Sequence, residues 1–265
     1  MSPPFPGSVG GVVAVWDADD LSLSDGDYVS SWTDRHAGKV LSASGSLRPT
    51  FRASRARIGY RSAVEFDGTD LLELGSSLTS TSSGAVIVTG KLVQGLAWGS
   101  GDVDYYNPNW HYVQGGRFSG AIRAQALETT TNAMSEWVYN SSSTTTSHWE
   151  WSSNGSAWTV RDNNASLSLA VGGVGNTGLW FGGVTGRDNF SVGGIHLHPY
   201  NDGPYGGLLT GWISTVVVLS SVPTGPARDD LYRWLRGSSG GGAYQFRRGR
   251  RAHIAGATGV SIQGR

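Results

Sequence analysis

Apolar positions in this chain come in short runs, and glycine, asparagine and aspartate separate them. Gly11–Trp16 is a β-branched apolar run closed by Asp17, the pattern of a buried strand. Tyr28–Trp32 predicts a second strand, followed by a turn at Asp34–Gly38. Ala63–Asp67 alternates, with Val64 and Phe66 on one face and Glu65 and Asp67 on the other. The Asp67-Gly68 pair predicts a turn, and Leu71–Leu74 resumes extended structure. Ala85–Thr89 is continuously apolar, as in a strand buried on both faces. Further strands are predicted at Trp110–Val113, Ser135–Tyr139, His148–Trp151, Ala157–Arg161, Leu179–Gly182 and Gly211–Leu219. One helix stands out near the end. Pro226 opens it, and Leu231, Trp234 and Leu235 form one apolar stripe. Arg233 and Arg236 sit near its C-terminus and Gly237 stops it. Many short strands with glycine-rich punctuation predict an all-β sandwich or jelly roll, with this helix as a plug.

Composition supports that reading. The chain has 265 residues, and its 40 glycines lack the three-residue period of collagen. Eleven Trp, ten Tyr and seven Phe supply a core, which argues against a disordered chain. No apolar run is long enough to span a membrane. The absence of cysteine excludes disulfides, thiolate zinc sites and thiol nucleophiles. Met1–Pro6 has neither a basic start nor an apolar segment, so no signal peptide is expected.

The overall charge is zero but unevenly placed. Residues 1–236 carry 15 bases and 20 acids, and residues 237–265 carry five arginines and no acid. Seven bases and no acid lie between Asp34 and Glu65. The expectation there is pairing with acids of the body. No nucleic-acid recognition module is visible, so nucleic acid is not the expected partner. The chain thus divides into an arm (1–11), a sandwich (12–236) and a glycine-rich linker with an arginine-rich tail (237–265). In that tail Tyr244 and Phe246 precede Arg247, Arg248, Arg250 and Arg251. An aromatic anchor beside clustered arginine suits an assembly-docking segment, and a disordered tail has the same composition.

A resemblance follows from particular residues. Trp16-Asp17, the stretch Leu21–Asp34, Arg48-Pro49-Thr50 and Ala63–Gly68 resemble the N-terminal half of concanavalin A-like, laminin-G-like jelly-roll domains. The closing Gly211–Leu219 strand and the helix through Trp234-Leu235 are similar to how those domains end. Such domains occur in bacteriophage minor tail proteins, which the glycine-, serine- and threonine-rich, cysteine-free body also resembles. The resemblance implies two antiparallel sheets and a curved face or rim loops that bind glycan. It implies a non-enzymatic virion component near the tail tip, present in several copies. Its partners would be other tail proteins and host-envelope glycan. The alternative is a free bacterial carbohydrate-binding protein or glycoside hydrolase of the same fold.

Hydrolases of this fold place acids at alternate positions of one strand, and only Glu65 and Asp67 approach that pattern. The second Glu is missing and Gly68 breaks the strand, so no catalytic residue is assigned. His196 and His198 alternate without an identifiable third ligand. Asp102, Asp104 and Asn107 gather oxygen ligands in one loop, as calcium would require, or form an Asx turn. Tyr105, Tyr106, Asn107, Asn109, Trp110, His111 and Tyr112 crowd flat aromatic faces with amides, a make-up suited to stacking sugars. Trp149 and Trp151 share a strand face and suggest a second platform. Core packing is the competing reading of these aromatics, and it is the expected one for Trp16, Trp32, Trp212 and Trp234.

Overall fold

The computed structural model describes residues 4–55, 61–104, 111–128, 133–140, 145–168, 170–173, 175–197 and 205–237. Its strands begin with β1 (Val12–Asp17), β2 (Ser31–Thr33), β3 (Val40–Ser42), β4 (Thr50–Arg55), β5 (Arg61–Asp67) and β6 (Leu72–Leu74). There follow β7 (Gly84–Gly101), β8 (Tyr112–Phe118), β9 (Ala121–Glu128), β10 (Ala133–Asn140), β11 (Ser147–Ser153) and β12 (Trp158–Asp162). The last are β13 (Ala165–Ser166), β14 (Ala170–Gly173), β15 (Phe190–Val192), β16 (Ile195–His196), β17 (Tyr205–Gly206) and β18 (Thr210–Leu219). A single α-helix, α1 (Gly225–Gly237), closes the body where the Pro226 and Gly237 signals put it.

Two layers share one strand. The N-terminal part of β7 pairs with β18 and β11, within a sheet that also holds β1, β4, β5, β12 and β13. Its C-terminal part pairs with β8 and β15, in a second sheet ordered β14-β10-β9-β8-β7-β15-β6-β3-β2. The crossing falls at Gly95, whose φ of +100° a residue with a Cβ rarely adopts. There the backbone also lies so close to Leu208 that a Cβ would meet its carbonyl oxygen at 2.2 Å. The expected strand at 85–89 is therefore only the first part of an 18-residue one. All pairings between named strands are antiparallel, and the architecture is the expected all-β, jelly-roll-like sandwich.

The inner faces meet in a core of aromatics. Trp16 stacks on Phe190 at 5.7 Å, and Trp98 meets Trp151 edge-on at 6.2 Å and stacks on Phe181 at 5.7 Å. Gly115 makes room for them, since a Cβ there would lie 2.6 Å from the Trp98 indole nitrogen. The outer face of the first sheet is covered by α1. Leu231, Trp234 and Leu235 bury Val15, Ile87, Val217 and Leu219. The N-terminal arm is not detached from the body: Phe5 packs edge-on against Trp234 at 5.0 Å, and the Ser8 hydroxyl donates to Asp230 at 2.7 Å. Among the described residues no helix is long and apolar enough to cross a membrane.

Charged residues tie together the strands and turns of the first sheet. Arg61 is buried and ion-pairs Asp17 and Asp19, Arg35 pairs Asp17 and Asp20, and Arg52 pairs Glu65. Three arginines of the acid-free stretch after Asp34 thus lie against acids of the body, two of them, Arg52 and Arg61, from β4 and β5. The strand expected at Leu179–Gly182 is instead a 3-10 turn at Phe181–Gly183. Gly182 runs against backbone there, and a Cβ would sit 2.3 Å from the Ser80 carbonyl oxygen.

Candidate functional site

Among the described residues the one α-helix covers the first sheet and none covers the outer face of the second, where strand alternation decides what is displayed. In β8, Val113 turns into the core while Tyr112, Gln114 and Phe118 line the outer side. In β9, Ile122, Ala124 and Ala126 turn inward while Arg123 and Gln125 turn outward. Antiparallel register sets Gln114 directly opposite Gln125, and the Gln114 amide donates to the Gln125 carbonyl at 2.5 Å. The Arg123 guanidinium stands over the Phe118 ring at 6.0 Å.

A small hairpin, β16–β17, crosses this face over β7 and makes a wall. It seats on Gly99 and Gly101, because a Cβ at either position would strike Ile195 at 2.8 Å or Leu197 at 2.5 Å. Polar groups pin it down, Asn189 and Ser191 among them buried. Asn189 accepts from the Gly101 amide at 2.9 Å and donates to the His196 carbonyl at 2.9 Å. The Ser191 hydroxyl lies 2.9 Å from the Gly194 carbonyl and 3.3 Å from that of Gly99. His196 Nδ1 meets the Glu73 carboxylate of β6 at 2.8 Å. Between wall and sheet lies a groove of about 310 Å³, bounded by Leu96, Ile195 and Leu197 on the apolar side. Its lining includes two amides, a guanidinium, a phenol and the Phe118 ring, so it can hydrogen-bond a polar ligand while packing its apolar patches.

The residues predicted from sequence distribute differently. Tyr112 lies in the groove, buried at its edge. Tyr105, Tyr106, Asn107, Asn109 and Trp110 lie outside the described residues, as do Tyr244, Phe246, Arg247, Arg248, Arg250 and Arg251. Trp149 and Trp151 do share a face, but it is the inner one. At 2% and 0% exposure they belong to the core and present no ring to a sugar, which corrects the second platform. Their neighbours His148 and Glu150 point the other way and are also buried, because α1 covers that side. Glu150 accepts from the Tyr232 hydroxyl at 2.9 Å, and burial together with the Glu150 charge pushes the tyrosine pKa up.

Glu65, Asp67, Asp70, Asp102 and Asp188 serve local structure. Glu65 pairs with Arg52, and Asp67 caps its turn by accepting from Thr69. Asp70 accepts from the Asp67 amide at 2.9 Å, and burial raises its pKa to about 6. At the end of β7 Asp102 accepts from the Asp104 amide at 3.0 Å, and Asp188 accepts from the Val103 amide at 3.1 Å. Burial raises the pKa of Asp188, and the charges of Asp102 and Asp104 add to the effect. Among the described residues no group of three or more His, Cys, Asp or Glu side chains is arranged to hold a metal ion. His198, like Asn107, is outside those residues. Sequence reasoning passed over Gln114, Arg123 and Gln125. The available signal was the polar half of the alternation in 112–118 and 121–128.

The fold is that of an all-β, jelly-roll-like sandwich, with the groove on the outer face of its second sheet. No protein-family model and no curated protein matches the sequence. Solved structures of this fold do. One is the CBM40 carbohydrate-binding module of the Ruminococcus gnavus IT-sialidase, bound to α2,3-sialyllactose. It has a TM-score of 0.50 at 14% identity, over 64% of this chain and 94% of that one. Another is domain 4 of AbnA, an extracellular arabinanase from Geobacillus stearothermophilus, in complex with arabinotriose. It has a TM-score of 0.51 at 12% identity, over 83% of this chain and 96% of that one. A leech intramolecular trans-sialidase also matches, with a TM-score of 0.50 at 13% identity. There 88% of this chain covers 28% of that protein. At these identities the similarity is one of fold.

Proposed function

We propose that this protein is a carbohydrate-binding β-sandwich that holds a glycan in the groove between the hairpin wall and strands β8 and β9. The observation that carries the reading is the pairing of the Gln114–Gln125 ladder and Arg123 with the Tyr112 and Phe118 rings in one open groove. Amides both donate and accept, which suits sugar hydroxyls, and rings and aliphatic walls suit the apolar faces of sugars. Solved structures of the same fold that carry sialyllactose or arabinotriose support this class of ligand. The action proposed is binding without cleavage, since Glu65 and Asp67, the acids with the nearest spacing to a catalytic pair, serve Arg52 and a turn.

The setting is a separate part of the proposal. The sequence resemblance implies a bacteriophage tail component, whereas the structural neighbours support the alternative of a carbohydrate-binding protein outside a virion. The groove serves a glycan in either setting. The test is retention of the intact chain on a panel of neutral and acidic polysaccharides, beside the double variant Gln114→Ala/Arg123→Ala. Retention that this variant loses, at unchanged thermal stability, is the expected result. Retention unaffected by the variant would move the site away from the groove, and no retention at all would overturn the reading.

A further inference from the structure

The hairpin wall does not end the open face; it divides it. On its far side lies a second trough of about 350 Å³, over β3 and β6, and nothing in the first groove explains it. Its floor and sides are Leu71, Leu47 and Ala43, and its polar groups are Glu73, Ser42 and Ser44. The register makes this a built surface. Glu73 stands opposite Ser42 on one side and Ser191 on the other, while Leu72 turns into the core. The turn at Gly45–Leu47 is tied to the sheet by the Leu71 amide, which donates to the Leu47 carbonyl at 2.9 Å. The Glu73 carboxylate is held in place by His196 at 2.8 and 3.0 Å, so it is oriented before any ligand arrives.

The chemistry of the two troughs is complementary. The first is rich in donors, with a guanidinium and amides. The second centres on a carboxylate, which when ionised only accepts, flanked by two hydroxyls and an aliphatic floor. A carboxylate repels an anionic substituent and accepts hydrogen bonds from sugar hydroxyls. We infer that the trough over β3 and β6 is a second carbohydrate subsite that takes a neutral sugar residue, with Glu73 accepting from its hydroxyls. The inference rests on the glycan reading of the first groove. The troughs are about four strand spacings apart, roughly 19 Å. A short oligosaccharide therefore fills one of them and a longer chain reaches both, gaining affinity through effective concentration.

The experiment uses the intact chain and ladders of neutral arabino-, manno- and galacto-oligosaccharides from the disaccharide upward, with binding followed by calorimetry. The expected result is a gain of about a hundredfold in affinity once the chain spans both troughs. Ser44→Leu should abolish that gain and leave the affinity for the shortest binding member unchanged, and Glu73→Gln should weaken the long chains more than the short ones. His196→Gln frees the wall and keeps the carboxylate, so it separates a sugar contact from a fastening role. If Glu73→Gln and His196→Gln weaken short and long chains equally, Glu73 only anchors the wall and the inference is overturned. It is also overturned, with the first groove left standing, in either of two cases. One is a length dependence that survives Glu73→Gln and Ser44→Leu. The other is binding of acidic polysaccharide but of no neutral ladder. If nothing binds at all, both readings fall together.

Discussion

Replacing Arg61 by methionine probes the buried charges on the helix-covered side of the sandwich. Arg61 is 2% exposed, and its guanidinium contacts Asp17 at 2.5 Å, Asp19 at 3.0 Å and the Thr215 hydroxyl at 2.7 Å. Asp17 is fully buried, and burial raises its pKa while the Arg61 charge works against that rise. Methionine keeps most of the apolar stem and deletes the charge, leaving Asp17 the ion pair with Arg35 at 3.1 Å and the hydrogen bond from the Asp19 amide at 3.1 Å. Removing one partner of a buried pair costs about 3–5 kcal/mol, and the surviving Arg35 contact puts the expectation near the lower end, about 3 kcal/mol. For a domain of this size that lowers Tm by roughly 6–12 °C. The sign with pH is also set. A carboxylate whose folded pKa is raised binds more protons in the native state, so its ionisation opposes folding as pH rises through the interval between the unfolded and folded values. Losing Arg61 raises the folded value further, so the penalty should be full at neutral pH and shrink in acid. Urea unfolding of wild type and variant at pH 7 and pH 4.5 checks both statements. A loss below about 1 kcal/mol at pH 7, in the range of exposed pairs, or a penalty that does not change with pH, would refute the reasoning.

Three further outcomes are expected. Gly101→Val drives a side chain into Leu197 and the His196 carbonyl, so it should lift the hairpin wall, cost about 1–3 kcal/mol in chemical denaturation and reduce glycan retention. Trp151→Ala removes a fully buried indole and should cost about 3–5 kcal/mol, whereas Trp149→Phe should leave glycan retention intact. His148, beside the Thr89 hydroxyl at 2.8 Å, is held neutral by burial with a pKa lowered to about 4. Its contribution to stability should be present above about pH 6.5 and be lost as pH falls toward 4, so wild type should lose more stability than His148→Gln across that interval.

The sequence and the structure agree most closely where one signal governs an element. Val64 and Phe66 alternate with Glu65 and Asp67, and β5 follows that pattern up to the Asp67-Gly68 turn. Pro226, the Leu231–Leu235 stripe and Gly237 similarly bound α1. Agreement fails at β11. His148 and Glu150 are polar and Trp149 and Trp151 are aromatic, so the alternation separates two faces without saying which is wet. In the folded protein neither is, because the tryptophans enter the sandwich core and α1 covers the polar pair.

The candidate groove depends on the same distinction. The order of residues determined that this chain is an all-β sandwich with a terminal helix, because period-two patterning and turn residues act over a few positions. It also marked Tyr112 as a candidate. Only the tertiary structure brought β16 and β17 beside β8 and β9, and seated Ile195 and Leu197 on Gly99 and Gly101. Gln114, Arg123 and Gln125 come to line one groove, and Glu73 a second trough, through contacts between segments some 70 to 120 residues apart. Side-chain period carries no information about which distant segment will pack against an outward face, and here that packing makes the groove.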